Sequence, residues 1–208
     1  MSLEACAAAA VQIFPASTMI TTPDGVFPLQ VVMVAIGGSE NPGWGNAPGD
    51  PLSIYRDGGI AERPYSCGGY TSFGTWQANL PAHSAMVASL SGIAASNPCG
   101  QATWLADYPN CAKAALAIYR SQGLGAWSTW GNQYTPYPPG YGPYRKYLTQ
   151  AQAAVTAAAG VSQPPTPSPA PVGQRSPWAI AGALGLLAVV GTTAGLFARK
   201  ASLRRQGR

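Results

Sequence analysis

A mainly α-helical domain with a small β component, a proline-rich linker and one C-terminal transmembrane helix make up the architecture that this 208-residue sequence predicts. Three observations predict it. Apolar residues recur at helical spacing through most of the first 158 positions. Gln163–Val172 reads QPPTPSPAPV, a composition that holds a chain near polyproline II. Trp178–Phe197 carries no charged side chain and is followed by five basic residues. The boundaries that follow are a domain over 1–158, a linker over 159–175, a membrane span over 176–198 and a basic tail over 199–208.

The elements are justified in chain order. MSLEACAAAAVQIF lacks the positive n-region of a signal peptide, and Leu3, Ala7, Ala10, Val11 and Phe14 fall at helical spacing before Pro15. It reads as an amphipathic helix packed on the domain. Pro28 suits the first turn of a second helix over 28–39, with Leu29, Val32, Met33 and Ile36 as one apolar stripe. Gly37-Gly38 and then Asn41-Pro42 are expected to stop it. Residues 43–70 hold GWGNAPGDP and DGG turn signals and read as irregular, with a short β-hairpin here or around Tyr70–Trp76. Three further helices are expected: Ser84–Ala95 capped by Ser84, Pro109–Gln122 ending at Gly123, and Tyr144–Ala159. Between the last two, GNQYTPYPPGYGP is too rich in Pro, Gly and Tyr for regular structure.

The linker would be a semi-rigid spacer of ~30 Å. An uncharged stretch of about 20 residues forms a helix of ~30 Å, the thickness of a bilayer core. The basic residues beyond it predict a cytoplasmic C-terminus in a cell. The lipid bilayer, contacted through Trp178–Phe197, is therefore an expected partner.

Charge excludes one class of function. The formal net charge is +5, but residues 1–174 carry six basic and seven acidic side chains, a balance of −1. The basicity belongs to the tail, so the domain has no electrostatic footprint for sequence-specific nucleic-acid binding. Cys6, Cys67, Cys99 and Cys111 lack the spacing of a zinc site, and a single histidine adds no metal reading; neither metal nor cofactor is expected. Cys99 and Cys111 flank a short segment that a disulfide would close, although four cysteines allow three pairings. His83 has no nucleophile motif beside it and reads as a surface or capping residue.

The residue that carries chemistry is Glu40. It stands four positions after Ile36 and so continues the apolar stripe towards the core, at the electronegative end of the helix. Burial and the dipole both disfavour its ionised form, and an acid still protonated near neutrality suits proton donation to a glycosidic oxygen. Asp50, Asp57 and Glu62 lie in the following loops as candidate partner carboxylates, none in a recognisable motif.

Three stretches resemble a known family. VVMVAIGGSENPGWGN looks like the region of soluble lytic transglycosylases and phage lysozyme-like domains in which a helix ends at the catalytic Glu. Ser72-Phe73-Gly74-Thr75-Trp76-Gln77 matches the family's Ser-x-Gly-x-x-Gln signature. Residues 114–120 and then Gly125-Ala126-Trp127-Ser128-Thr129-Trp130 are similar to the helix and tryptophan pair that close many phage wall-degrading domains. The matches cover roughly residues 28–150 in the family's order. The resemblance implies an α+β lysozyme-like fold and an enzyme that cuts peptidoglycan glycan strands. It implies Glu40 as general acid/base, with Gln77 and the Ser72–Gly74 turn lining the cleft and Trp44, Trp76, Trp127 and Trp130 as candidate sugar platforms. The sequence departs from the family's Tyr-Asn-Ala-Gly, reading Trp130-Gly131-Asn132-Gln133-Tyr134, so Tyr134 and Tyr147 are the candidate aromatics beside Glu40.

With one clear acid, the transglycosylase route to an anhydro sugar is favoured over hydrolysis by a lysozyme-type muramidase. A wall-cutting domain tethered to a membrane without a signal peptide suits a bacteriophage virion used during entry, in contact with other virion proteins; the alternative location is the host cell membrane at lysis. The rival class of function is a non-catalytic, membrane-anchored virion protein that binds glycan or holds its neighbours.

Overall fold

A computed structural model describes residues 2–132 and 135–162. Over them the chain is a mixed α+β fold, mainly helical. The expected linker from residue 163 onward, the membrane span and the basic tail lie outside the described residues, as does Tyr134; residues 159–162, expected as the start of the linker, continue the last helix instead. None of the described helices is long and apolar enough to cross a membrane.

The order is α1 (Leu3–Ile13), β1 (Met19–Thr22), β2 (Gly25–Pro28), α2 (Leu29–Glu40), β3 (Gly49–Pro51), β4 (Tyr70–Phe73), β5 (Ala78–Asn79), α3 (Leu80–Ser91), α4 (Pro98–Leu105), α5 (Tyr108–Gln122) and α6 (Leu148–Ser162). Short 3-10 turns fill the β3–β4 connection and the stretch before α6. Strands β1 and β2 form an antiparallel hairpin, and β3, β4 and β5 form a small antiparallel sheet in that order.

Helix α2 is the axis of the domain. Leu29 through Gly38 are all buried, so the helix is covered on every side and not along one stripe as its spacing suggested. LQVVMVAIGG is apolar all round, and a helix of that composition belongs inside. α1, α5 and α6 supply much of the rest of the core. Gln30 is buried within it, and its side-chain amide donates to the Val11 and Phe14 carbonyls at 3.2 and 3.0 Å, at the end of α1.

Gly37 and Gly38 do not stop the helix, which runs on to Glu40 with Asn41 as its cap. Their role is close approach. The Trp76 indole N–H donates to the Met33 carbonyl at 2.7 Å, and the Trp44 indole N–H donates to the Val34 carbonyl at 2.8 Å. A Cβ on Gly38 would stand 2.6 Å from the Trp44 ring, and one on Gly37 would stand 3.0 Å from Thr75 and 3.2 Å from the Trp76 nitrogen. Two indoles thus lie where two side chains would otherwise be.

Elsewhere the structure revises boundaries. α3 begins at Leu80 because Asn79, not Ser84, caps it by accepting from the Ala82 N–H. It ends at Gly92, which adopts the left-handed conformation (φ 74°). α6 begins at Leu148, after a 3-10 turn over Pro143–Tyr147. The β1–β2 hairpin and α4 were not anticipated. The disulfide joins Cys67 to Cys99, not Cys99 to Cys111, and ties the entry of β4 to the start of α4. Cys6 and Cys111 are unpaired thiols in the core, and burial pushes Cys111 up to about 12.

Gly38→Ala tests this packing. In an open helical site the change stabilises by about 1 kcal/mol; here the methyl meets an indole, and overpacking of this kind costs about 1–3 kcal/mol. Gly160→Ala in α6, where a Cβ meets nothing within 4 Å, is the control. Urea melts are expected to show G38A destabilised and G160A at least as stable as the parent.

Candidate active site

Glu40 is the last residue of α2 and is partly buried. Its Oε1 accepts the Thr129 hydroxyl at 2.7 Å and the Thr129 backbone N–H at 3.4 Å. Removal from water raises its pKa above the ordinary 4.5, which is the largest effect; the two Thr129 bonds favour the charged form and oppose it, and the negative Asp50 adds to the rise. A cleft of about 340 Å³ opens beside it, lined by Glu40, Asp50, Gln77, Asn79, Ala126, Trp127, Ser128, Asn132 and Thr135. Its lining is mostly polar, with two carboxyl groups, amides and hydroxyls around one indole.

Three loops build the cleft. The first, residues 41–49, is tied down by the Asn41 amide donating to the Ala47 carbonyl at 2.9 Å. It ends at Asp50 in β3, whose φ of 55° is left-handed. The Asp50 carboxylate accepts the Ser72 hydroxyl, and its backbone carbonyl accepts Thr71 Oγ1 at 3.0 Å. The second loop is the β4–β5 turn, where Gln77 adopts φ 49° and donates its side-chain amide to the Ala47 and Gly74 carbonyls at 2.8 and 2.9 Å. The third is Trp127–Thr129, hung from the core by the Trp127 indole N–H on the Trp76 carbonyl at 2.8 Å.

Of the residues expected at the site, Glu40, Gln77 and Trp127 line the cleft, and Ser72 stands one bond behind it on Asp50. Gly74 does not line it. A Cβ there would strike Cys111 Sγ at 2.4 Å, so this glycine admits the α5 side chain and not a sugar. Trp76 is 1 % exposed and Trp44 7 %, with both indole N–H groups spent on α2, so neither offers a ring face as a sugar platform. Trp130 is buried against Tyr144, centroids 4.8 Å apart, and edges an adjacent hollow. Tyr147 meets Trp44 edge-on at 5.3 Å, and it is Thr129, not this aromatic, that pairs with Glu40.

Asp50 joins Glu40, whereas Asp57 sits exposed beside Arg56 at 3.9 Å and Glu62 does not line the cleft. Thr129 and Asn79 were missed. The only signal for Thr129 was its place between two tryptophans that must be buried, which fixes what the intervening residues face. Among the described residues no cluster of His, Cys, Asp and Glu could hold a metal ion. His83 lies part-buried on α3, and burial lowers its pKa. Compared with protein-family models, with curated proteins and with solved structures, the chain has no match.

A buried acid with a raised pKa makes stability depend on pH. The folded chain holds the Glu40 proton more tightly than the unfolded chain, so its contribution is complete below about 4.5 and is lost as pH rises through the raised value. Glu40→Gln stays neutral and keeps an oxygen for Thr129. Its melting temperature is expected to gain on the parent's between pH 4 and pH 7; a pH-independent difference would show that folding does not raise the pKa of Glu40.

Proposed function

We propose that this domain cleaves the glycan strands of peptidoglycan by acid catalysis, with Glu40 as proton donor and Asp50 as the second carboxylate. One observation carries the reading: an acid whose pKa burial raises shares a polar, sugar-sized cleft with a second carboxylate that is exposed and hydrogen-bonded. Two carboxyl groups in contrasting surroundings divide the roles of acid and charge stabiliser. The motif resemblance over residues 28–150 supports peptidoglycan as the polymer.

Glu40 protonates the departing glycosidic oxygen. Positive charge then develops on the sugar ring, and Asp50, which lines the same cleft, stabilises it. Thr129 stabilises the Glu40 carboxylate left behind, which takes a proton from the incoming nucleophile. Asp50 in the cleft favours water as that nucleophile over the substrate's own hydroxyl, so hydrolysis displaces the transglycosylase route as the first reading. The uncharged Trp178–Phe197 stretch and the basic residues after it support a single-pass membrane anchor, which we assign to a virion membrane; the bilayer and neighbouring virion proteins are the partners this implies.

Zymography on bacterial cell walls with the full chain is expected to give a band for the parent, and Glu40→Gln to lose on the order of 10³-fold in rate. Mass spectrometry of the released fragments is expected to show reducing ends; anhydro ends would restore the transglycosylase route. No band from the parent would favour the non-catalytic reading.

Thr129→Val gives a separate test. It removes a donor that favours the charged form of Glu40, so the acid stays protonated to higher pH. The alkaline limb of the pH–rate profile is expected to move upwards in this variant, and an unmoved or lowered limb would contradict the role given to Glu40.

A further inference from the structure

The polar groups around Asp50 admit one self-consistent set of donors. Thr71 Oγ1 gives its single proton to the Asp50 backbone carbonyl at 3.0 Å, so it accepts from Tyr55, whose hydroxyl lies 3.0 Å away. The Tyr55 oxygen in turn accepts the Asn79 side-chain amide at 3.0 Å. Ser72 gives its proton to the Asp50 carboxylate and accepts from the same Asn79 nitrogen at 3.2 Å. That nitrogen has two protons and spends one on each branch. Asn79 Oδ1 is occupied as well, capping α3 through the Ala82 N–H at 3.2 Å.

We propose that Asn79 is a positioning residue for Asp50, its two amide protons feeding two hydrogen-bond branches that end on the carboxylate and on the backbone carbonyl of that one residue. The carboxylate branch runs through Ser72, and the backbone branch through Tyr55 and Thr71. Asp50 needs such a clamp. It is exposed, it stands in a three-residue strand, and its left-handed φ is uncommon for a residue with a Cβ, although aspartate adopts it more readily than most. Register supplies the geometry, because Ser72 faces Gly49 on one side and Asn79 on the other. The cap supplies rigidity, since the same side chain is fixed to α3. The catalytic consequence rests on the reading of Asp50 as the second carboxylate.

Two measurements on the full chain test this. Asn79→Ser keeps a good helix cap and adds no charge but removes both amide protons; Tyr55→Phe cuts only the backbone branch; Ser72→Ala removes the last bond of the carboxylate branch and calibrates its full effect. In a Glu40→Gln background, which silences the other carboxyl in the cleft, the carboxyl-carbon NMR signal of Asp50 at one fixed pH reports the hydrogen bond it accepts from Ser72. Its chemical shift in N79S is expected to move from the parent's value towards that of S72A. With Glu40 present, kcat on cell walls is expected to fall on the order of 10- to 100-fold in N79S and less in Y55F, with KM nearly unchanged. An Asp50 carboxyl signal in N79S identical to that of the parent overturns the proposal, as does a rise in KM with kcat unchanged. If the parent itself has no activity, the glycosidase reading falls, and the Asp50 carboxyl signal still decides whether Asn79 holds Asp50.

Discussion

Everything at the cleft depends on two indole N–H groups that donate to carbonyls inside α2. Met33 and Val34 already accept from the helix four residues on, at Gly37 and Gly38, and their second lone pairs face the places where those residues lack a Cβ. Trp76 and Trp44 occupy these places. The contact turns a backbone into a docking surface, and it fixes both loops that carry the cleft's side chains to the one helix that ends in Glu40. Trp76 extends the scaffold further, because its own carbonyl holds the Trp127 indole and so the segment that presents Thr129. Three aromatic side chains that looked like sugar platforms act together as the frame.

That frame explains how the pKa of a carboxyl group is raised without the group being sealed. α2 is buried through Gly38, and only its last turn reaches the cleft, so Glu40 meets protein on one side and solvent-sized space on the other. Thr129 supplies hydrogen bonds that would favour the anion, and burial outweighs them. The balance suits the role of proton donor proposed for Glu40, which would later hold a negative charge: a site with desolvation alone would strand the anion, and a site with hydrogen bonds alone would never keep the proton. The domain gives up some stability near neutral pH for this arrangement.

The helices were legible because their signals are local. Apolar spacing, Gly123 after α5 and the Pro15 stop lie within a few residues of the ends they define. Glu40 was legible for the same reason, as a continuation of its own helix. The rest depended on long-range partners. Ser84 resembles a cap as well as Asn79 does, and only the β4–β5 pairing delivers Asn79 to the helix start. Gly37-Gly38 reads as a helix stop until two distant tryptophans are placed on it. Thr129 is 89 positions from Glu40, and no spacing rule connects them. The disulfide was open in sequence because which cysteine faces which is decided by the 3-10 turns of the β3–β4 connection and by α4, an element that the sequence reading did not contain.

The backbone itself shows where the fold accepts strain. Trp44, Asp50, Asp57 and Gln77 are the described non-glycine residues with positive φ, and Asp50 and Gln77 line the cleft. Such conformations cost on the order of 1 kcal/mol or more each and persist only where their surroundings over-determine them. Trp44 is held by its backbone N–H on the Asn41 carbonyl at 2.8 Å, its indole on Val34 and its carbonyl under the Tyr108 hydroxyl at 2.6 Å. Gln77 is held through its amide on two carbonyls, and Asp50 through Thr71 and Ser72. Asp57, with no comparable set of bonds, sits exposed in the β3–β4 connection beside glycines that share its conformation. Strain backed by hydrogen bonds thus gathers at the cleft, and strain relieved by glycine gathers away from it. That distribution suits the proposed site, whose walls would stay where they are when a substrate arrived, and it argues against a cleft that is assembled by loop closure.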